Sequence, residues 1–120
     1  MAGHNNVAYR KPYNMDIEKQ AARLGMDEAE YKVLLRLFIQ TSVAELSDLQ
    51  DSIKAGGLEK AKHLLHSFKG ASVNLGFTEL ADQSLYLQNL VDSDPGQATD
   101  LIRKLIREIR DLEKYFTASR

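Results

Sequence analysis

Leu58-Glu59-Lys60-Ala61-Lys62-His63-Leu64-Leu65-His66-Ser67-Phe68-Lys69-Gly70-Ala71-Ser72-Val73-Asn74-Leu75-Gly76 is the stretch that decides how the chain is built. Leu58, Ala61, Leu65, Phe68, Ser72 and Leu75 recur at intervals of three and four, the period of an amphipathic helix. Gly76 suits the left-handed residue just past a helix end, with Phe77 placed to pack back over the last turn. Gly70 is out of character. A glycine inside a helix costs about 0.8–1.0 kcal/mol relative to alanine, so either packing or function must account for it.

The same period extends to both sides. Asp27-Glu28-Ala29-Glu30 offers an N-cap with an acidic residue three positions on. After it come Tyr31, Leu35, Phe38, Ser42, Glu45/Leu46, Leu49 and Ile53, a stripe broadened by Leu34 and Ile39 and ended by Ala55-Gly56-Gly57. Before it, Ile17, Ala21 and Leu24 mark a short helix stopped at Gly25. Downstream, Thr78 is expected to cap a helix with Leu80, Ala81, Ser84, Leu85, Leu87 and Val91 on its apolar side. Asp94 as N-cap and Pro95 at the first helical position open a last helix. That helix carries Leu101, Ile102, Leu105, Ile106, Ile109, Leu112 and Phe116.

No segment alternates as a strand would. The expected fold is therefore all-α: an antiparallel up-down four-helix bundle with a short extra N-terminal helix capping one end, spanning residues 15–118. Residues 1–14, polar and aperiodic with Gly3, Asn5, Asn6 and Pro12, read as a flexible arm. Tyr9 and Tyr13 can tack part of that arm to the body.

Composition narrows the function. The chain has 120 residues, 43% hydrophobic and 28% charged, enough for one domain around one core. With 16 Lys+Arg against 17 Asp+Glu, it lacks the basic excess of a nucleic-acid binder. The absence of cysteine excludes disulfides and thiolate metal sites. No apolar run approaches the roughly 20 residues of a membrane span, and Met1 to Asn14 lacks the apolar centre of a signal peptide. These features predict a soluble, cytoplasmic protein with no membrane partner. Nothing favours oligomerisation, so a monomer is expected, and the Met1 start favours a small freestanding protein.

On a wheel of about 100° per residue, His66 falls about 140° from the centre of the core stripe and should face solvent. Lys62, His63, Lys69, Gly70 and Val73 share that outward side. Side chains three and four apart are neighbours on a helix, so the Lys69 ammonium can reach whatever is attached to His66. Neutral imidazole nitrogen is a nucleophile, and imidazole changes charge near neutral pH. Lysine beside it would pair with a phosphoryl group once attached. Gly70 strips a side chain from that face and admits another backbone. The chain has no phosphate-cradling loop, nucleotide motif or acidic Mg²⁺ cluster. The metal and the activation must come from a partner.

His66-Ser67-Phe68-Lys69-Gly70-Ala71-Ser72 with Asn74-Leu75-Gly76-Phe77 resembles the signature of histidine-containing phosphotransfer (HPt) domains of two-component phosphorelays. His66, Lys69, Gly70 and Gly76 match the pattern, and the helical scheme from about Asp16 to Phe116 fits the family's bundle. The resemblance implies that His66 is the phosphoacceptor, that Lys69 steadies the phosphoryl group, and that Gly70 makes room for a receiver domain. It implies a relay between a receiver-domain aspartate, or a histidine kinase, and a response regulator, without autonomous kinase activity. The implied partners are receiver domains of a response regulator or a hybrid histidine kinase. No cofactor is expected on this chain, Mg²⁺ belonging to the receiver. Lys62, His63, Gly70 and Val73 are expected to contact the partner, and Gly76 to be structural.

Other readings compete. Glu59, His63 and His66 fall at spacings compatible with zinc on one helix face, although Lys62 and Lys69 oppose a cation there. A non-catalytic adaptor bundle that docks receivers is a second alternative, and the phosphoacceptor module of a chemotaxis-type kinase a third. Val73 and Phe77 divide equally between an apolar docking rim and a helix-end contact.

Overall fold

The computed structural model of the protein describes residues 16–118, with side chains to residue 113. The 1–14 arm with Tyr9 and Tyr13, and the Phe116 side chain, lie outside the described residues. Five helices follow in order: α1 (Ile17–Arg23), α2 (Glu28–Lys54), α3 (Leu58–Asn74), α4 (Thr78–Ser93) and α5 (Pro95–Ala118). No strand occurs among the described residues. The expected all-α bundle is the one observed.

Local chemistry sets the boundaries. Asp16 caps α1 through the Lys19 N–H. Asp27 and Glu30 form a reciprocal capping box at the start of α2. Asp94 accepts from the Gln97 N–H at 3.1 Å, and Pro95 opens α5. Thr78 does not cap α4: it is the first helical residue, and buried Phe77 occupies the cap position without a side-chain hydrogen bond. The core needs the Phe77 ring more than the helix end needs a hydroxyl.

Connections of only a few residues force each of the four long helices to run back against its predecessor. α2 packs on α3, α3 on α4, α4 on α5, and α5 returns to α2, closing the ring, while α1 lies against α2. Tyr31, Leu35, Leu46, Leu49, Leu65, Phe68 and Phe77 are among the fully buried side chains. The Phe38 ring lies 6.1 Å from Phe68 and 5.2 Å from Phe77, between centroids, which ties α2 to both ends of the α3–α4 corner. Buried Ser72 and Ser84 donate to the carbonyls of Phe68 and Leu80 one turn back, which settles their hydroxyls without any partner helix.

Three residues expected inside lie at the surface. Leu34 and Leu85 each sit one residue, hence about 100°, off the buried positions Leu35 and Ser84. Leu58 begins its helix, where no preceding turn covers it. Conversely, Ser52, Leu90 and Ala98 are buried, and the expected stripes omitted them.

Candidate functional site

Helix α3 is held on one side and at its C-terminal end. Ala61, Leu65, Phe68 and Ser72 are fully buried, fixing its rotation. At the C-terminus the Phe77 N–H donates to the Ser72 carbonyl (2.8 Å) and the Gly76 N–H to the Val73 carbonyl (3.0 Å). This pairing requires a left-handed residue, and Gly76 has φ +86°. The Leu75 carbonyl takes two further donors, the buried Tyr31 hydroxyl at 3.0 Å and Gln20 Nε2 at 3.3 Å. A Cβ on Gly76 would stand 2.6 Å from Gln20 Nε2. Glycine is thus needed there twice over, for its backbone angle and for its missing side chain. Burial pushes the Tyr31 phenol above its usual range, with the Gln20 hydrogen bond opposing.

The opposite side of α3 is open. His66, Lys62, His63, Gly70 and Val73 are exposed and Lys69 is half-buried, one turn beyond His66. Among the described residues, neither the His66 imidazole nor the Lys69 ammonium takes part in a hydrogen bond or ion pair. The neighbouring helices define two flanks. On the α4 flank, Lys62 Nζ lies 3.0 Å from Asp92 Oδ2. An exposed pair of this kind is worth only about 0–1 kcal/mol, so it orients Lys62 without locking it. On the α2 flank, the Ser67 hydroxyl donates to Glu45 Oε2 at 2.7 Å. Ser67, next to His66, therefore anchors α3 to α2 beside the site.

Gly70 is the telling position. Among the described residues a Cβ built there meets nothing within 4 Å beyond its chain neighbours and its own helix backbone, and the backbone angle is not one that favours glycine. Among the described residues nothing requires a glycine at this position. Phe77, by contrast, is 1% exposed and belongs to the core, so it forms no docking rim, whereas Val73 is 51% exposed.

Beyond Gly70 on the α2 flank runs a shallow apolar groove lined by Leu34, Leu37, Thr41, Ala71, Asn74 and Leu75. Leu37 is 53% exposed and Val33 similarly so. The helical period places Leu34 in the core and gives Leu37 no role, so the groove is not visible from periodicity. The run Val33-Leu34-Leu35 was the available signal: three consecutive residues cannot share one helix face. Glu59, His63 and His66 are not brought together: among the described residues no three His, Asp or Glu side chains are grouped so as to hold a metal ion.

The all-helical bundle thus presents two exposed histidines on α3, a lysine one turn beyond His66 and an unfilled glycine position. The family model described as Hpt domain matches residues 33–114, which contain the whole of α3, and the chain belongs to that family. The family gives it a phosphotransfer-type role in two-component signalling, where Hpt domains interact with receiver domains. No curated protein matches the chain, and no solved structure does. No described helix is long and apolar enough to cross a membrane.

Proposed function

We propose that the protein relays a phosphoryl group through His66, taking it from a receiver-domain aspartate or a histidine kinase and passing it to a response regulator. The observation that carries this reading is the exposed His66 beside a glycine that the fold itself does not use. A neutral His66 nitrogen attacks phosphorus. The acyl-phosphate P–O bond breaks, a P–N bond forms, the aspartate leaves as carboxylate, and the imidazole proton passes to solvent. Lys69 faces the new charge from the following turn, within reach by helical register. Mg²⁺ acts from the receiver, and this chain supplies neither nucleotide nor metal.

Gly70 lets the receiver approach, and the groove around Leu34, Leu37 and Ala71, the residue after Gly70, gives it an apolar seat. Val73 and His63 border the approach, and Lys62 can exchange Asp92 for an acidic receiver surface. In this reading the protein works in the cytoplasm as a monomer. The test is transfer from phosphorylated receivers. The wild type should acquire acid-labile, alkali-resistant phosphate and His66→Gln should acquire none. Normal labelling of His66→Gln would overturn the assignment, and receiver binding without labelling would favour an adaptor.

A further inference from the structure

A second group can touch the phosphoryl carried by His66, and this inference rests on the carrier role just proposed. In a helix every Cα–Cβ bond tilts toward the N-terminus, so a side chain covers the turn before its own Cα. The His66 ring therefore overlies the turn bearing Lys62 and His63, while Lys69 leans back toward it from the turn beyond. Lys62 is drawn to the α4 flank by Asp92, 3.0 Å away. By helical register His63 lies on the outward face, on the side of His66 away from Lys62, with its Cβ about 5–6 Å from that of His66. It is exposed, and among the described residues it makes no hydrogen bond or ion pair. On the α2 side the Glu45 carboxylate is engaged by Ser67, one turn beyond His63. Glu59 and Lys60 share the preceding turn of α3 itself.

We propose that His63 is a phosphoryl-contacting residue. Its ring N–H donates to an oxygen of the group on His66, which is then bracketed by His63 from the N-terminal side and Lys69 from the C-terminal side. The ligand is an oxyanion, and the site is complete only once His66 is modified. P–N bond cleavage passes through a loose transition state. In it the phosphoryl oxygens carry less charge than in the ground state. A donor on those oxygens therefore favours the phosphorylated state and lengthens its life.

The experiment uses the whole chain and phosphoramidate, whose P–N bond is exchanged for one to His66 with ammonia leaving. The half-life of phosphate on His66 and its ³¹P resonance are measured in wild type, His63→Gln and His63→Lys. Loss of His63 should shorten the half-life about two- to fivefold, the range an exposed charge-assisted contact carries, and move the resonance. His63→Lys should restore the half-life. A purely structural role would move neither the resonance nor the rescue. If His66 is labelled but His63→Gln matches wild type in both readouts, the inference falls and the carrier role stands. If wild-type label sits on His63, or His66 takes none, both fall.

Discussion

Replacing Gly70 with alanine should stabilise the fold, and replacing it with leucine should impair transfer without harming the fold. An exposed interior helical position gains about 0.8–1.0 kcal/mol on going from glycine to alanine. Here nothing among the described residues offsets that gain, because the new Cβ meets nothing within 4 Å beyond its chain neighbours and its own helix backbone, and the backbone needs no left-handed residue. For a chain of this length, about 2.1 cal/mol/K per residue of unfolding entropy converts the gain into about 4 °C of Tm. Leucine, also a good helix former, should melt no lower than wild type. Its four carbons would occupy the space through which a receiver reaches His66, so transfer from a phosphorylated receiver should slow at least about tenfold, roughly 1.4 kcal/mol. Calorimetric melting and quench-flow labelling of wild type, Gly70→Ala and Gly70→Leu supply both readouts. A lower Tm for Gly70→Ala would mean that the fold uses this glycine after all. Unchanged transfer by Gly70→Leu would remove the gap from the docking surface.

Two further outcomes are expected. Burial pushes the Glu108 carboxyl above its usual range, with Asp111 and Glu79 adding to the shift and Lys104 and Arg107 opposing it. The folded chain thus holds this proton more tightly than the unfolded chain. Its contribution to stability is full below the ordinary carboxylate range and is lost as pH rises through the raised value. Glu108→Gln should therefore gain on wild type in urea midpoint between pH 4 and pH 8, and a constant difference would contradict this. Leu37→Glu, at an exposed position of the groove, should leave Tm unchanged and weaken receiver binding about tenfold, as loss of an apolar anchor does. Equal affinity by calorimetric titration would remove the groove from the interface.

The features legible in the sequence are those governed by local chemistry. Helical periodicity placed Ala61, Leu65, Phe68 and Ser72 inside and His66 outside, because the 3.6-residue period alone fixes which side of α3 is buried. The Asp27–Glu30 box and the Gly76 turn depend on neighbours within a few residues, and both were readable for that reason. The Glu45–Ser67 hydrogen bond, the Lys62–Asp92 pair and the two donors on the Leu75 carbonyl depend on how one helix is registered against another, which periodicity does not encode. Leu34 shows the same limit. It lies at the edge of a buried stripe, and the position of the neighbouring helix decides whether an edge residue is core or groove. Gly70 reads from the sequence alone as clearance for a partner, and the open space around it argues against a packing reason.

The most direct test is the position of the phosphate itself. Cleavage after Lys62 and Lys69 releases His63 and His66 on one peptide, His63–Lys69, so the modified histidine must be located by fragmenting that peptide under conditions that preserve the P–N bond. After reaction with a phosphorylated receiver, the account predicts the phosphate on His66 and none on His63. Phosphate on His63, or an unmodified peptide from a chain that binds the receiver, would contradict it.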